Sequence, residues 1–447
     1  MVLESPLARN IRVLKRTHKS AARTPTGSRP PALQLLVLTQ FFPPDFAATG
    51  QLIEELTAHL GQQGVDVTVF TGQPSYAFAK GEAPENEVKG NVRVKRSRVS
   101  QIFSHRIRGK AFNGVLYTLR AIMHLAVRSR HYQVLLVTTA PPFLSVIAYL
   151  AHLFFKLPYV CLLYDLYPDV AVELGVVKAN HPIARLWRTI NCQIWRGSAD
   201  IIVLSDSMKA RIVAHCPDVA EKISVIHSWS DDKKIVPIAK QDNWFAKENK
   251  LVDPFVVLYS GNMGRCHDID TIFDAAHQLK DDPILFVCIG GGAKRNALIE
   301  AVSAAGLNNF RFLPYQEKSV LPYSLTASDV SLVSVAAGME SLVAPSKLYP
   351  AMAAGRPIAA ICPPESYLRG LLEDAQGGAA FANGEAIALA NYIRQLSQNK
   401  AEANRIGMAG RHYMQTHFTP ELIAQQYLGV LKKAPVCCSV SKQTLRT

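Results

Sequence analysis

The sequence predicts an α/β protein built as two domains in tandem, each a parallel sheet covered by helices. Two observations carry this: a strand and helix alternation that runs twice along the chain, and a length of 447 residues. That length exceeds the roughly 100 to 200 residues of one ordinary domain. Hydrophobic residues make up 49% and charged residues 19%, enough apolar material for two packed cores.

Folded structure starts at Leu33, where LQLLVLT is apolar without alternation, the pattern of a strand covered on both faces. Residues 49–63 place Leu52, Ile53, Leu56 and Leu60 at helical spacing, and Gly64 ends that helix before a strand at 66–71. Further strands are predicted at 92–96, 134–138, 159–163, 201–204 and 223–226, most of them separated by helical segments. After a polar, uneven stretch at 228–253 the rhythm restarts with PFVVLYSGN, ILFVCIGGG, NFRFLPY, DVSLVSV and RPIAAIC. The chain therefore divides into a disordered basic extension (1–31), a first domain (32–228), a linker (229–253) and a second domain (254–418). A helix returning towards the first domain (419–433) and a flexible tail (434–447) complete it.

The formal charge of +14 is unevenly placed. Residues 1–31 carry seven Lys or Arg against Glu4, and residues 88–130 hold 11 Lys or Arg with no acid. Such charge attracts polyanions in general, so nucleic acid, anionic lipid and phosphorylated substrates all fit it. No nucleic-acid module or interleaved aromatic platform appears, which argues against the first. Within the acid-free block, Phe112, Leu116, Leu119, Ile122 and Met123 recur at helical spacing. That segment either lies on an anionic membrane surface or packs its apolar face inward as a solvated helix. No uncharged apolar run reaches the roughly 18 to 20 residues needed to span a bilayer. The best candidate, 141–155, reads as a buried helix. Eight cysteines without a C-x-x-C pair, several inside apolar runs, predict buried thiols in a reducing cytoplasm.

Open parallel sheets bind ligands beyond the carboxyl ends of their strands, which directs attention to the loops at 260–267, 290–295 and 336–347. In SGNMGRCHDID, Gly261 and Gly264 can bring backbone close to a ligand and Arg265 can meet a phosphate. A glycine turn leading into a helix capped by Asp268 explains the same residues. Asp268 and Asp270 also spell D-x-D, but their place at a helix start favours capping over a metal. Gly290, Gly291 and Gly292 run into Lys294 and Arg295 at another helix start. Bare amides, a helix dipole and cations suit an anion there, and tight strand-to-helix packing accounts equally for the glycines. In the first domain LLYDLYPD sets Tyr164, Asp165 and Asp169 just after a buried strand, where Asp165 can cap a turn fixed by Pro168.

The most distinctive stretch is GMESLVAPSKLYPAMAAGRPIAA, residues 338–360. Together with FFPPDFAATGQLIEELTAHLGQQGVDVTVFTG, YDLYPDVAVELG and LYSGNMGRCHDIDTIFDAA it resembles the family 4 glycosyltransferases of the bacterial surface-polysaccharide branch, over residues 33–432. The resemblance implies a GT-B fold, in which two Rossmann-like domains with parallel sheets face a central cleft. It implies a UDP- or GDP-sugar donor on the second domain, an acceptor on the first, retention of anomeric configuration, and neither metal nor cofactor. The catalytic residues it implies are Lys347 and Arg265, which neutralise the departing nucleoside diphosphate, and Asp165, which stabilises oxocarbenium-like charge. Glu340 and Ser346 orient donor hydroxyls or phosphate oxygens, and Gly50 closes over the diphosphate from the first domain. Asn262, Gly264, Gly290, Gly291 and Gly292 line the donor site. Acceptors in this branch are often lipid-linked, so a glycan or polyprenyl-diphosphate-linked acceptor at the cytoplasmic face of the membrane is expected.

The chain departs from the family pattern at the donor site. Pro350 stands where many relatives carry the ribose-gripping second Glu of a paired motif, and Leu342 stands at the first. Asn262 and His267 replace a usual Arg and Lys, one of which Arg265 can substitute. A nucleotide-sugar epimerase of the same two-domain shape is the competing expectation.

Overall fold

The structure, a computed structural model, describes residues 32–45, 47–74, 83–97 and 107–444, with no side-chain detail at 107–113 and 436–444. The basic extension 1–31 and part of the acid-free block lie outside the described residues.

The first domain contains β1 (Gln34–Leu38), α1 (Ala48–Gln62), β2 (Asp66–Thr71), β3 (Asn86–Lys89), β4 (Val92–Arg96), α2 (Ile107–Arg128) and β5 (Val134–Thr138). It continues with α3 (Leu144–Phe155), β6 (Tyr159–Leu163), α4 (Asp169–Glu173), α5 (Pro182–Gly197), β7 (Asp200–Val203), α6 (Asp206–His215) and β8 (Ile223–Val225). Its sheet has the order β3-β4-β2-β1-β5-β6-β7-β8. Every residue of β5 and β6 is buried, as strands covered on both faces require. Seven of the strands run parallel, and β3 pairs antiparallel with β4 at the edge.

The linker contributes the short α7 (Trp244–Glu248). The second domain comprises β9 (Phe255–Ser260), α8 (Asp270–Gln278), β10 (Ile284–Ile289), α9 (Arg295–Ala304), β11 (Phe310–Leu313), α10 (Leu321–Thr326) and β12 (Val330–Ser334). Then come α11 (Leu348–Ala353), β13 (Ile358–Ile361), α12 (Tyr367–Ala375), β14 (Gly378–Phe381), α13 (Ala386–Gln398) and α14 (Lys400–His417). Its sheet is fully parallel, with the order β11-β10-β9-β12-β13-β14. In both sheets the order reverses beside the first strand, at β1 and β9, so a crevice opens above each sheet at that point.

α15 (Pro420–Thr444) packs on α1, burying Ile423, Ala424, Tyr427 and Leu431. It runs past residue 433 into the segment read as tail, where Pro435 and a polar sequence give no apolar stripe to announce a helix.

One sequence expectation is corrected outright. The apolar run read as a buried helix is α3, which buries Leu144, Ile147, Ala148 and Ala151 but exposes Leu150, Leu153, Phe154 and Phe155. Apolarity all round a helix signals burial only if both sides have a neighbour, and one side of α3 has none among the described residues.

Candidate active site

The loops after β9 and β10 interlock through their backbones. Met263 N–H donates to the Gly291 carbonyl at 2.6 Å, Lys294 N–H to Met263 at 3.0 Å, and Gly261 N–H to Ile289 at 2.8 Å. A Cβ on Gly290 would strike the Gly261 carbonyl, and one on Gly292 would come within 2.6 Å of Met263 backbone. Both have φ of 128°, closed to most side chains. Loop packing therefore suffices to explain these two glycines. We expect Gly290→Ala to cost about 3 kcal/mol, combining backbone strain with the clash. A drop in urea midpoint at constant m would register it; an unchanged midpoint would mean the two loops do not meet this way.

The same arrangement leaves donors unspent. Among the described residues the amides of Asn262, Gly264, Arg265 and Gly291 donate to no protein group. They cluster at the carboxyl ends of adjacent parallel strands, where an anion is well placed to collect them. Asn262 and Arg265 are exposed, and the Arg265 guanidinium has no ion pair among the described residues.

Lys347 is the N-cap residue of α11 and reaches back over β9. Its ammonium lies 3.7 Å from the centre of the Tyr259 ring and close to Gly261, sealed from solvent and without a hydrogen-bond acceptor. The residue as a whole is partly accessible; the charge is not. Burial pushes its pKa down to about 7. A cation over an aromatic face gains up to about 2 kcal/mol. Burying an unpaired ammonium costs several. The site is thus held short of one negative charge.

Beside it, the His267 Nδ1–H donates to the Ser334 carbonyl at 2.8 Å. Burial, together with the Lys347 charge, lowers its pKa to about 3, which leaves a neutral ring with Nε2 as an acceptor. The Glu340 Oε2 is likewise buried with no partner, while the Glu340 carbonyl accepts from the Ser207 hydroxyl of the first domain at 3.1 Å. Ser346 is partly buried and makes no hydrogen bond among the described residues. These groups lie on the loops and helix starts that follow β9, β10 and β12.

The first domain closes over this cluster. Leu166 N–H donates to Leu342 at 3.1 Å, and Asp165 forms an isolated antiparallel bridge with Val343. The Glu173 carboxylate packs on Gly338. Asp165 bears on both Tyr167 and Cys266, which places its carboxylate across from the 261–267 loop. Burial raises its pKa to about 6. Its side chain makes no hydrogen bond to the turn among the described residues. Pro168 occupies the N-cap position of α4 without a side-chain cap.

Other residues named from the sequence have structural occupations. Gly50, in the first turn of α1, presses on the Phe41–Phe42 backbone, where a Cβ would approach to 3.0 Å. Asp268 accepts from the Thr271 N–H at 2.9 Å and from its hydroxyl at 2.7 Å, the capping role expected. Lys294 donates to the His267 carbonyl at 2.8 Å, and Arg295 lies over the Phe312 ring with its Nε buried and unpartnered. Pro350 sits in the first turn of α11, where a missing N–H breaks no helical bond. Asp169 binds Arg188 at 2.7 Å and lies 3.3 Å from His215, tying α4 to α5 and α6. Sequence inspection missed Tyr259, His267 as an acceptor, and the Asp169 network. The partners of Asp169 are remote in the chain, so no local signal could reveal them.

Two Rossmann-like domains whose parallel sheets face a central cleft define the GT-B class. Residues 49–234 match the model for Glycosyltransferase Family 4, and residues 240–413 that for Glycosyl transferases group 1. The chain belongs to these family 4 glycosyltransferases and is a hexosyltransferase. It is 24% identical over 409 residues to a Pseudomonas aeruginosa protein named as the glycosyltransferase WbjE, covering 89% of this chain and 98% of that one. It is 32% identical over 139 residues to Escherichia coli WcaI, named as a colanic acid biosynthesis glycosyl transferase, covering 30% and 34% of the two chains. Among solved structures, the sucrose-phosphate synthase of Thermosynechococcus elongatus superposes with a TM-score of 0.73 at 19% identity, over 90% of this chain and 98% of that one. Anabaena HepE with UDP-glucose does so with a TM-score of 0.66 at 17% identity, over 90% and 99%.

Proposed function

We propose that the protein is a retaining glycosyltransferase that moves a sugar from a UDP- or GDP-linked donor to a lipid-linked glycan acceptor in surface-polysaccharide synthesis. The observation that carries the donor half is the buried, unpaired Lys347 ammonium beside unspent amides, a constellation that a diphosphate completes. HepE was solved with UDP-glucose, and WcaI is named for colanic acid synthesis, which supports this choice of donor and product class.

In this mechanism the acceptor hydroxyl attacks the anomeric carbon on the face the nucleoside diphosphate is leaving. The bond from that carbon to the phosphate oxygen breaks, and the acceptor proton passes to the departing oxygen. Lys347, Arg265 and the amides at 262–265 and 291 stabilise the charge that develops there. The Glu340 carboxylate and His267 Nε2 accept from hydroxyls of the donor, and the Ser346 hydroxyl donates to a phosphate oxygen. The Asp165 carboxylate, presented from the other domain, faces the positive charge on the sugar ring.

A thermal-shift screen tests the donor. A ligand at 100 times its Kd stabilises the native state by about 2.7 kcal/mol, which raises Tm by about 3 °C in a chain of this size. One of the UDP-, GDP- or dTDP-sugars is expected to give such a shift. No shift with any of them would refute the reading.

A further inference from the structure

The first domain carries an apolar, cation-bearing face that the transfer reaction does not use. The crossovers β4→α2→β5, β5→α3→β6 and β6→α5→β7 all move in the same direction along the sheet. Right-handed crossovers therefore put all three helices on one side of it. α3 packs against both α2 and α5. Of the twenty large apolar side chains exposed among the described residues, twelve lie on these three helices. On α2, Met123 and Val127 are 58% and 76% exposed; on α3, Phe154 is 75% exposed; on α5, Leu186 is 61% exposed. Such side chains scattered singly are ordinary, but a contiguous set on three adjacent helices marks a surface that something covers.

Charge selects the occupant. The 22, 12 and 16 residues of α2, α3 and α5 include no Asp or Glu. Arg128, Arg130, Lys156 and Arg185 are exposed on or beside these helices, and none has an acidic partner among the described residues. A second copy of this face would bring these cations against one another. An anionic surface would pair them.

We propose that this face docks the enzyme in one leaflet of an anionic bilayer, with the apolar side chains of α2, α3 and α5 inserted and the four cations at the headgroups. The proposal deepens the reading of the acceptor as lipid-linked and takes its purpose from that reading. α5 connects the two. Its outer face offers Ile183, Leu186 and Ile190, while its inner face holds the segment that follows Asp165. Trp187 stacks on Tyr167 at 6.1 Å, Asn191 donates to the Tyr167 carbonyl at 2.6 Å, and Arg188 binds Asp169. One helix, about 10 to 12 Å across, thus separates the lipid from the loop that presents Asp165. A headgroup-linked acceptor can reach the cleft without leaving the membrane.

Vesicle flotation of the full-length protein tests this, using phosphatidylcholine vesicles with and without one-third phosphatidylglycerol. Binding is expected to the anionic vesicles, and Met123→Glu with Phe154→Glu should lower partitioning at least tenfold without changing Tm. Arg128→Gln and Lys156→Gln should each weaken it about fivefold. Absence of vesicle binding, or binding that the paired Glu variant leaves unchanged, overturns the proposal. So does self-association in buffer that the same variant abolishes, because it assigns the face to a second copy. The nucleotide-sugar thermal shift is measured without lipid. Vesicle binding with no such shift would uphold the docking surface and reject the proposed donor, and the reverse result would do the opposite.

Discussion

Lys347→Ala is expected to lower turnover by about 10²- to 10³-fold, the usual cost of removing one preorganised group that stabilises developing negative charge. The fold should survive, because the side chain ties nothing together: its ammonium has no acceptor and packs on the Tyr259 ring. Stability should in fact change in the variant's favour. Lys347 has a pKa of about 7 in the folded protein against 10.5 ordinarily, so the unfolded chain holds more protons between those values. Stability of the parent protein then rises with pH across that window, and the penalty is fully present below about pH 7. The variant loses this slope and gains stability at and below neutral pH.

Donor binding supplies a second readout on the same residue. Near pH 8.5 the free site is mostly uncharged, and a bound diphosphate restores the ammonium, so close to one proton is taken up per donor bound. Calorimetry in buffers of different ionisation enthalpy reads this number directly. Lys347→Ala should take up none. A variant that keeps near-full transfer, or a parent that takes up no proton, would remove Lys347 from the leaving-group role.

The sequence announces a strand where both of its faces are covered, because β5, β6, β9 and β10 are then uninterrupted apolar runs. It is silent at β3, whose NEVK is mostly exposed at a sheet edge, and at β14, whose GAAF has little bulk to mark it. Residue types at the site are legible in the same partial way. Lys347 and Asp165 stand in recognisable contexts, and the structure brings both to one cleft. The purpose of Gly290 and Gly292 is not local, since it depends on a second loop about 30 residues earlier pressing its backbone against them. The exposure of α3 is illegible for a related reason. An apolar helix looks the same in sequence whether protein or lipid covers its far side.

Asp165→Asn is the sharper test of the first domain. A carboxylate whose pKa is raised to about 6 by burial still carries its charge at pH 7.5, and it carries that charge at a cost. Positive charge on the sugar ring in the transition state offsets this cost, so the carboxylate should be worth more to the transition state than to the bound donor. Asn keeps the shape and loses the charge. Turnover is expected to fall by about 10²- to 10³-fold with little change in the donor's affinity. The parent should also lose activity as pH falls through about 6, as the carboxylate protonates, and the variant's profile should lack that limb. Stability runs the other way. A raised folded pKa means the native state binds more protons between about 4 and 6, so stability declines as pH rises through that range, and Asn removes the decline. If Asp165 served only to shape the turn, its replacement would lower Tm and spare turnover. The bridge to Val343 and the Leu166 bond to Leu342 are made by backbone, which Asn preserves, so the substitution separates the charge from the contact between domains.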